Sequence, residues 1–222
     1  MPQPRKLHDE YFKRAKAEGY AARSAYKLLE IHEKRRRLLW KGARVLDLGC
    51  APGSWLQVAE KKVGPEGRVV GVDLQTVDIP LGPTVTTVVG DVFGLEGKTY
   101  LELGGGRFDV VLSDMAPNTT GHGDDFMSVR LCRRVLELLP VVIAPGGWCV
   151  MKVLEGEEFP KLLRQTAALF KETGATKPAA SRDVSREMFI VARGYRGPRL
   201  DEPQPTRAPM GRMPTPREGW KS

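Results

Sequence analysis

Apolar residues along the chain follow two rhythms. Short β-rich runs at Ala43-Arg44-Val45-Leu46, Gly67 to Leu74, Thr84 to Asp91, Phe108 to Ser113, Gly147 to Leu154 and Met188 to Ala192 predict strands. Between them, amphipathic patterns near 54–62, 124–139 and 157–172 predict helices. Strand and helix alternate, so the predicted architecture is α/β, with βαβ units and a mainly parallel sheet. The segment before residue 43 reads as helical. Ala25, Leu28, Leu29 and His32 keep i, i+3, i+4, i+7 spacing, with Lys27, Glu30 and Lys34 off that face. Residues 196–222 hold six prolines and few apolar side chains, which predicts a disordered or extended tail. The expected organisation is a helical segment over 1–42 belonging to the same domain, an α/β body over 43–195, and the tail.

The polar residues that close the strands carry the chemistry. Asp47-Leu48-Gly49-Cys50-Ala51-Pro52-Gly53-Ser54-Trp55 follows the first strand and precedes a helix. Gly49 and Gly53 let a ligand approach the backbone, and an acid near the loop can accept hydrogen bonds from a polar, cationic ligand. The fingerprint G-x-G-x-x-G is absent, so the loop lacks the glycines that seat a pyrophosphate. That argues against a nicotinamide-dependent oxidoreductase and for a nucleoside without phosphates, of which S-adenosylmethionine is the common one. Asp73 ends the second strand, where an acid accepts from both ribose hydroxyls of a nucleoside. Asp91 ends the third and can accept from the adenine amine, and Asp114 ends the fourth. Three acids closing successive strands fall on the carboxyl edge of a parallel sheet, where open α/β folds bind ligands.

Charge adds a partner. The formal net charge is +8, and it is unevenly spread: residues 1–44 carry 13 Lys or Arg against 5 acids, residues 45–195 carry 16 against 19. The basic N-terminal segment, with its run Lys34-Arg35-Arg36-Arg37, suits a polyanion docking against it. Cys50, Cys132 and Cys149 are isolated and the three histidines scattered, so no metal site is predicted. No apolar run reaches membrane-spanning length and no signal peptide opens the chain, which predicts a soluble, cytoplasmic protein.

Lys27, Asp114, Lys152 and Glu187 are polar where core packing requires nothing polar. Together with Ser24-Ala25-Tyr26-Lys27-Leu28, DLGCAPGSW at 47–55, Gly90-Asp91, Ser113-Asp114-Met115-Ala116-Pro117-Asn118, Val150-Met151-Lys152-Val153 and Ser185-Arg186-Glu187, they give a sequence that strongly resembles the FtsJ/RrmJ family of RNA ribose 2′-O-methyltransferases. The resemblance covers about residues 8–194. It implies a Rossmann-like, S-adenosylmethionine-dependent methyltransferase fold: a seven-stranded, mainly parallel sheet with helices on both faces and an antiparallel last strand. It implies a catalytic tetrad of Lys27, Asp114, Lys152 and Glu187, with Lys152 the proton acceptor. It also implies a methyl-donor site of Gly49, Gly53, Trp55, Asp73, Asp91 and Asp114. Family members often carry glycine where this chain has Ser54.

The implied substrate is a uridine ribose in the A loop of 23S ribosomal RNA within the large subunit, with the enzyme acting as a monomer. A tRNA ribose methyltransferase and a non-catalytic RNA-binding assembly factor are the alternatives. On the residues alone, Lys152 either accepts the proton of the 2′-hydroxyl or stays cationic and steadies a developing alkoxide.

Overall fold

The computed structural model describes residues 5–35, 38–117, 123–181 and 185–197. The expected tail beyond 197, Arg36, Arg37 and Asn118 lie outside the described residues. Seven strands form one sheet: β1 (Arg44–Leu48), β2 (Arg68–Asp73), β3 (Val85–Val89), β4 (Phe108–Ser113), β5 (Ile143–Leu154), β6 (Phe170–Thr176) and β7 (Glu187–Tyr195). Their spatial order is β3-β2-β1-β4-β5-β7-β6. The pairs β1–β2, β2–β3, β1–β4 and β4–β5 are parallel, whereas β7 runs antiparallel between β5 and β6. The sheet is the seven-stranded, mainly parallel one that the sequence implied, antiparallel last strand included.

The central strands read as near-continuous apolar runs because helices cover both faces. On one face α2 (Ala25–Lys34) and α3 (Ser54–Val63) pack Leu28, Ile31, Leu56 and Val58 against Val45, Val69, Val110, Val150 and Phe189. On the other, α4 (Gly97–Gly104), α5 (Asp124–Val142) and α6 (Phe159–Leu169) close over Leu46, Val70, Val111, Met151 and Ile190. Alternate side chains of one strand therefore enter different cores. A further helix, α1 (Arg5–Ala17), precedes α2. Ala15 joins Tyr26 and Ala180 in a small third cluster.

Three elements depart from the sequence pattern. The expected helix over 157–172 stops at Leu169, and Phe170 turns directly into the edge strand β6. Helix α4 arises where no periodicity was evident. In α2 the expected inward face is rotated: Lys27, placed off that face by its spacing, is buried, while Leu29 and His32 are only half-buried.

Phe189 links the sheet to the helices above it, with its ring centroid 5.9 Å from that of Trp55 and 5.8 Å from the Lys27 ammonium. Phe189→Ala should cost about 3–5 kcal/mol, the usual range for emptying a buried phenylalanine site. A urea midpoint unchanged from wild type would show that this contact is dispensable.

Candidate active site

A cavity of about 440 Å³ opens at the carboxyl edge of the parallel strands. Its walls come from the turn after β1 (Gly49, Ala51, Pro52) and from the ends of β2 (Asp73, Leu74, Gln75), β3 (Asp91, Phe93) and β4 (Asp114, Met115), with Leu131 of α5 closing one side. Register explains why these acids converge: Leu48 of β1 lies between Val72 of β2 and Ser113 of β4, and Asp73 pairs with Val89 of β3. Each strand therefore ends at nearly the same height.

Backbone amides fix the acids. Asp73 Oδ2 accepts from Ala51 N at 3.0 Å and Oδ1 from Gln75 N at 2.9 Å, so its carboxylate bridges two turns of the rim. Asp91 Oδ1 accepts from Phe93 N at 2.9 Å. Gly49 has φ +78, and a Cβ there would overlap the Met115 side chain. Only glycine lets the β1 turn pass so close to the β4 turn.

Beside this cavity, two ammonium groups sit almost out of water, Lys27 at 5% exposure and Lys152 at 7%. Lys27 Nζ donates to Glu187 Oε2 at 2.8 Å. Lys152 Nζ donates to the Asp114 carbonyl oxygen at 2.6 Å, and Asp114 Oδ1 lies 3.0 Å from the same ammonium as an ion-pair contact. On the paired strands β5 and β7, Lys152 faces Phe189 and Leu154 faces Glu187, so Lys152 and Glu187 are diagonal neighbours on one side of the sheet. Burial pushes the Glu187 carboxyl up, but the charge and hydrogen bond of Lys27, with Lys152 adding to them, hold it below the ordinary glutamate value. Lys27, Asp114, Lys152 and Glu187 thus come together, and Asp114 belongs to both the cavity wall and the ionic cluster.

Two residues expected at the cavity, Trp55 and Gly53, are elsewhere. The Trp55 side chain does not line it: the indole is buried against Phe189, and Nε1 donates to the Ser24 carbonyl at 2.8 Å. Gly53 is absent from the wall too. It caps α3 at φ +105, where a Cβ would fall 2.6 Å from Ile79 Cδ1. Asp47, the acid of the loop motif, is fully buried inside β1, and neither carboxyl oxygen has a hydrogen-bond partner. Burial, then the charges of Asp114 and Asp73, raise its carboxyl well above the ordinary aspartate value.

The first turns of α3 also carry a role that the motif did not reveal. Ser54 Oγ and Ser24 Oγ are 2.7 Å apart, Gln57 Oε1 accepts from Ala21 N at 2.8 Å, and Gln57 Nε2 donates to the Gly19 carbonyl at 2.9 Å. With the Trp55 bond, these contacts hold residues 19–24 against α3 and deliver Lys27 one turn later. Ser54, where the family often has glycine, contributes one of them through its hydroxyl.

A doubly wound sheet with a deep acid-lined cleft at its switch point and no pyrophosphate loop is the architecture of a Rossmann-like methyltransferase. The chain belongs to the FtsJ-like methyltransferase family, which matches it over residues 20–195. It is 45% identical over 187 residues to a protein of Syntrophobacter fumaroxidans named ribosomal RNA large subunit methyltransferase E, covering 83% of this chain and 94% of that one. A protein of the same name from Oleidesulfovibrio alaskensis is 43% identical over 196 residues, 87% and 94% of the two chains. Among solved structures, a Plasmodium falciparum protein named as a ribosomal RNA methyltransferase superposes with a TM-score of 0.70 at 28% identity. That match covers 80% of this chain and 100% of the other. Among the described residues, no group of three or more His, Cys, Asp or Glu is placed to hold a metal ion. No helix among them is long and apolar enough to cross a membrane.

The raised carboxyl of Asp47 makes stability depend on pH in a predictable direction. Its folded value is raised, so the native state binds a proton that the unfolded chain releases above about pH 4. Stability should therefore fall as pH rises from there towards the folded value, and Asp47→Asn should remove that part of the decline. Urea midpoints of the two proteins from pH 4 to 7 should diverge. Parallel curves would mean that Asp47 ionises freely in the fold.

Proposed function

We propose that the protein transfers a methyl group from S-adenosylmethionine to a ribose 2′-hydroxyl of large-subunit ribosomal RNA, a uridine of the 23S A loop being the leading target. The observation that carries this reading is the sharing of Asp114 between the cavity and the buried lysine pairs. The family membership and the printed names of its relatives support it.

The cavity fits the donor. Its volume falls within the range of small-molecule sites. The Asp73 carboxylate suits ribose hydroxyls, Asp91 suits an exocyclic amine, and Asp114 suits the cationic end. The bound donor supplies an electrophilic methyl on a positively charged sulfur. Apolar surface from Leu74, Phe93 and Leu131 would cover the flat base.

The chain's own contribution is to hold the acceptor oxygen in line and manage its proton. A 2′-hydroxyl is a weak nucleophile at neutral pH, and alignment supplies much of the rate. The Lys152 amine, fixed by the Asp114 carbonyl, is the group to meet that hydroxyl, either taking its proton or steadying its developing charge. Lys27 and Glu187, locked to each other, orient the ribose beside it. All four groups come from one chain, which supports a monomeric unit. Ribosomal RNA as the substrate supports action in the cytoplasm.

Asp73→Ala should weaken S-adenosylmethionine binding by roughly 1–3 kcal/mol, since two hydroxyls lose a charged acceptor in a partly enclosed site. Calorimetry finding equal affinity would remove Asp73 from the donor site. Lys152→Ala should slow single-turnover methyl transfer at least ~100-fold with donor binding intact. Lys152→Arg then separates the two roles, because a guanidinium cannot accept a proton. Substantial activity in the arginine variant would assign Lys152 an electrostatic role, and native activity in the alanine variant would overturn the proposed function.

A further inference from the structure

A second cavity, of about 420 Å³, lies on the α2 side of the sheet over β5, β7 and β6. It is separate from the donor site. Its wall is the carboxyl end of α2, with Lys34 and Arg35, facing Trp148 of β5 and Arg193 of β7 across the backbone of Gly174 in β6. We propose that this cleft binds a backbone phosphate of the RNA substrate, a few nucleotides from the methylated ribose. The proposal rests on the RNA substrate argued above and adds where that RNA is gripped.

Three features point to a phosphodiester. First, Arg193 is already aimed. Its guanidinium carbon lies 5.3 Å from the Trp148 ring centroid, a cation–π contact that holds the planar fork over the indole. Its ion pair with Glu172 is long, at 3.8 Å, and both side chains are about half exposed or more, so it competes weakly. Second, Arg35 comes from the opposite wall. A Cβ on Gly174 would sit 3.6 Å from Arg35 Nη2, ordinary contact distance, which places the guanidinium directly over β6. Among the described residues, no carboxylate lies within ion-pair distance of Arg35, whereas the neighbouring Lys34 is taken by Glu30 at 2.6 Å. Glu33 also borders the cleft, so with Lys34 paired to Glu30 the two arginines face two carboxylates, and the preference for an anion rests on the paired guanidinium forks rather than on net charge. Two forked cations across a small gap suit one phosphate better than a carboxylate-bearing peptide or an apolar ligand.

Third, the cleft is tied to the reaction centre by three elements. Lys152 lies four residues after Trp148 on β5, Glu187 six before Arg193 on β7, and Lys27 eight before Arg35 on α2. At about 1.5 Å per helical residue and about 3.3 Å per strand residue, the separation is roughly 12–20 Å. A stacked nucleic-acid strand rising about 3.4 Å per nucleotide covers that in about four to six steps. The run Lys34-Arg35-Arg36-Arg37 puts two more cations next in sequence to this wall.

The test uses full-length protein, a protein-free large-subunit RNA fragment containing the A loop, and assembled large subunits. Arg35→Gln, Arg193→Gln and the double variant are compared with wild type for RNA affinity across a salt series. Thermal midpoints check the fold, and Arg193→Lys tests whether charge alone suffices. The double variant should bind the RNA fragment about 5–10-fold more weakly at low salt. Its log–log salt slope should be shallower by about one, the loss expected for one phosphate contact. Its KM for RNA should rise while kcat at saturating RNA and donor affinity stay at wild-type values. Unchanged affinity and slope in a folded double variant, with wild type methylating the RNA, would overturn the cleft alone. A wild type that neither binds nor methylates RNA would overturn the proposed function and the cleft together. Weakened binding to assembled subunits with unchanged binding to the free fragment would also overturn the cleft, by assigning it to a ribosomal protein.

Discussion

Two lysine ammonium groups taken out of water must each find a carboxylate, and that requirement organises the catalytic end of this molecule. An unpaired buried charge costs several kcal/mol, enough to consume a large share of a small protein's net stability. Lys27 meets Glu187 and Lys152 meets Asp114, so the pairs join the N-terminal helical segment, the end of β4, β5 and the last strand. Replacing each pair by apolar residues would cost the fold little. The pairs sit beside an acid-lined cavity, and stability alone does not call for them there.

The donor cavity and the lysine pairs are coupled through one helix. The turn that begins at Gly49 shapes the cavity floor, and α3, which follows it at once, grips residues 19–24 through Ser54, Trp55 and Gln57. The conspicuous tryptophan of the motif thus works from the core side, holding in place the segment that carries Lys27. Motif residues need not touch the ligand to be required by it. Gly53 makes the same point, its missing side chain making room for Ile79 rather than for a substrate.

Much of this was legible in the sequence. The central strands could be read because both of their faces are buried, which leaves unbroken apolar runs, and the acids at their ends follow from the strand boundaries. Edge strand β6 could not be read, since Phe170-Lys171-Glu172-Thr173-Gly174-Ala175-Thr176 is half-exposed and continues the amphipathic pattern of α6. Lys27 was misplaced because helical spacing assigns a lysine to water, whereas a partner 160 residues away draws it inside. The depth of Asp47 could not be read either, because sequence shows an acid but not its burial. Its burial depends on the parallel neighbours on either side. The resemblance carried the four-residue set that local pattern alone could not assemble.

The sheet's order has a consequence for how the protein is made. The ribosome delivers β7 after every other strand, yet β7 does not add to an edge. It occupies the gap between β5 and β6, and its first residue is Glu187. Until that strand is in place, Lys27 has no counter-charge and the oriented pair beside Lys152 does not exist. The order of synthesis therefore makes the Lys27–Glu187 pair the last part of this ionic cluster to become available, since its carboxylate arrives with the strand that enters the middle of the sheet.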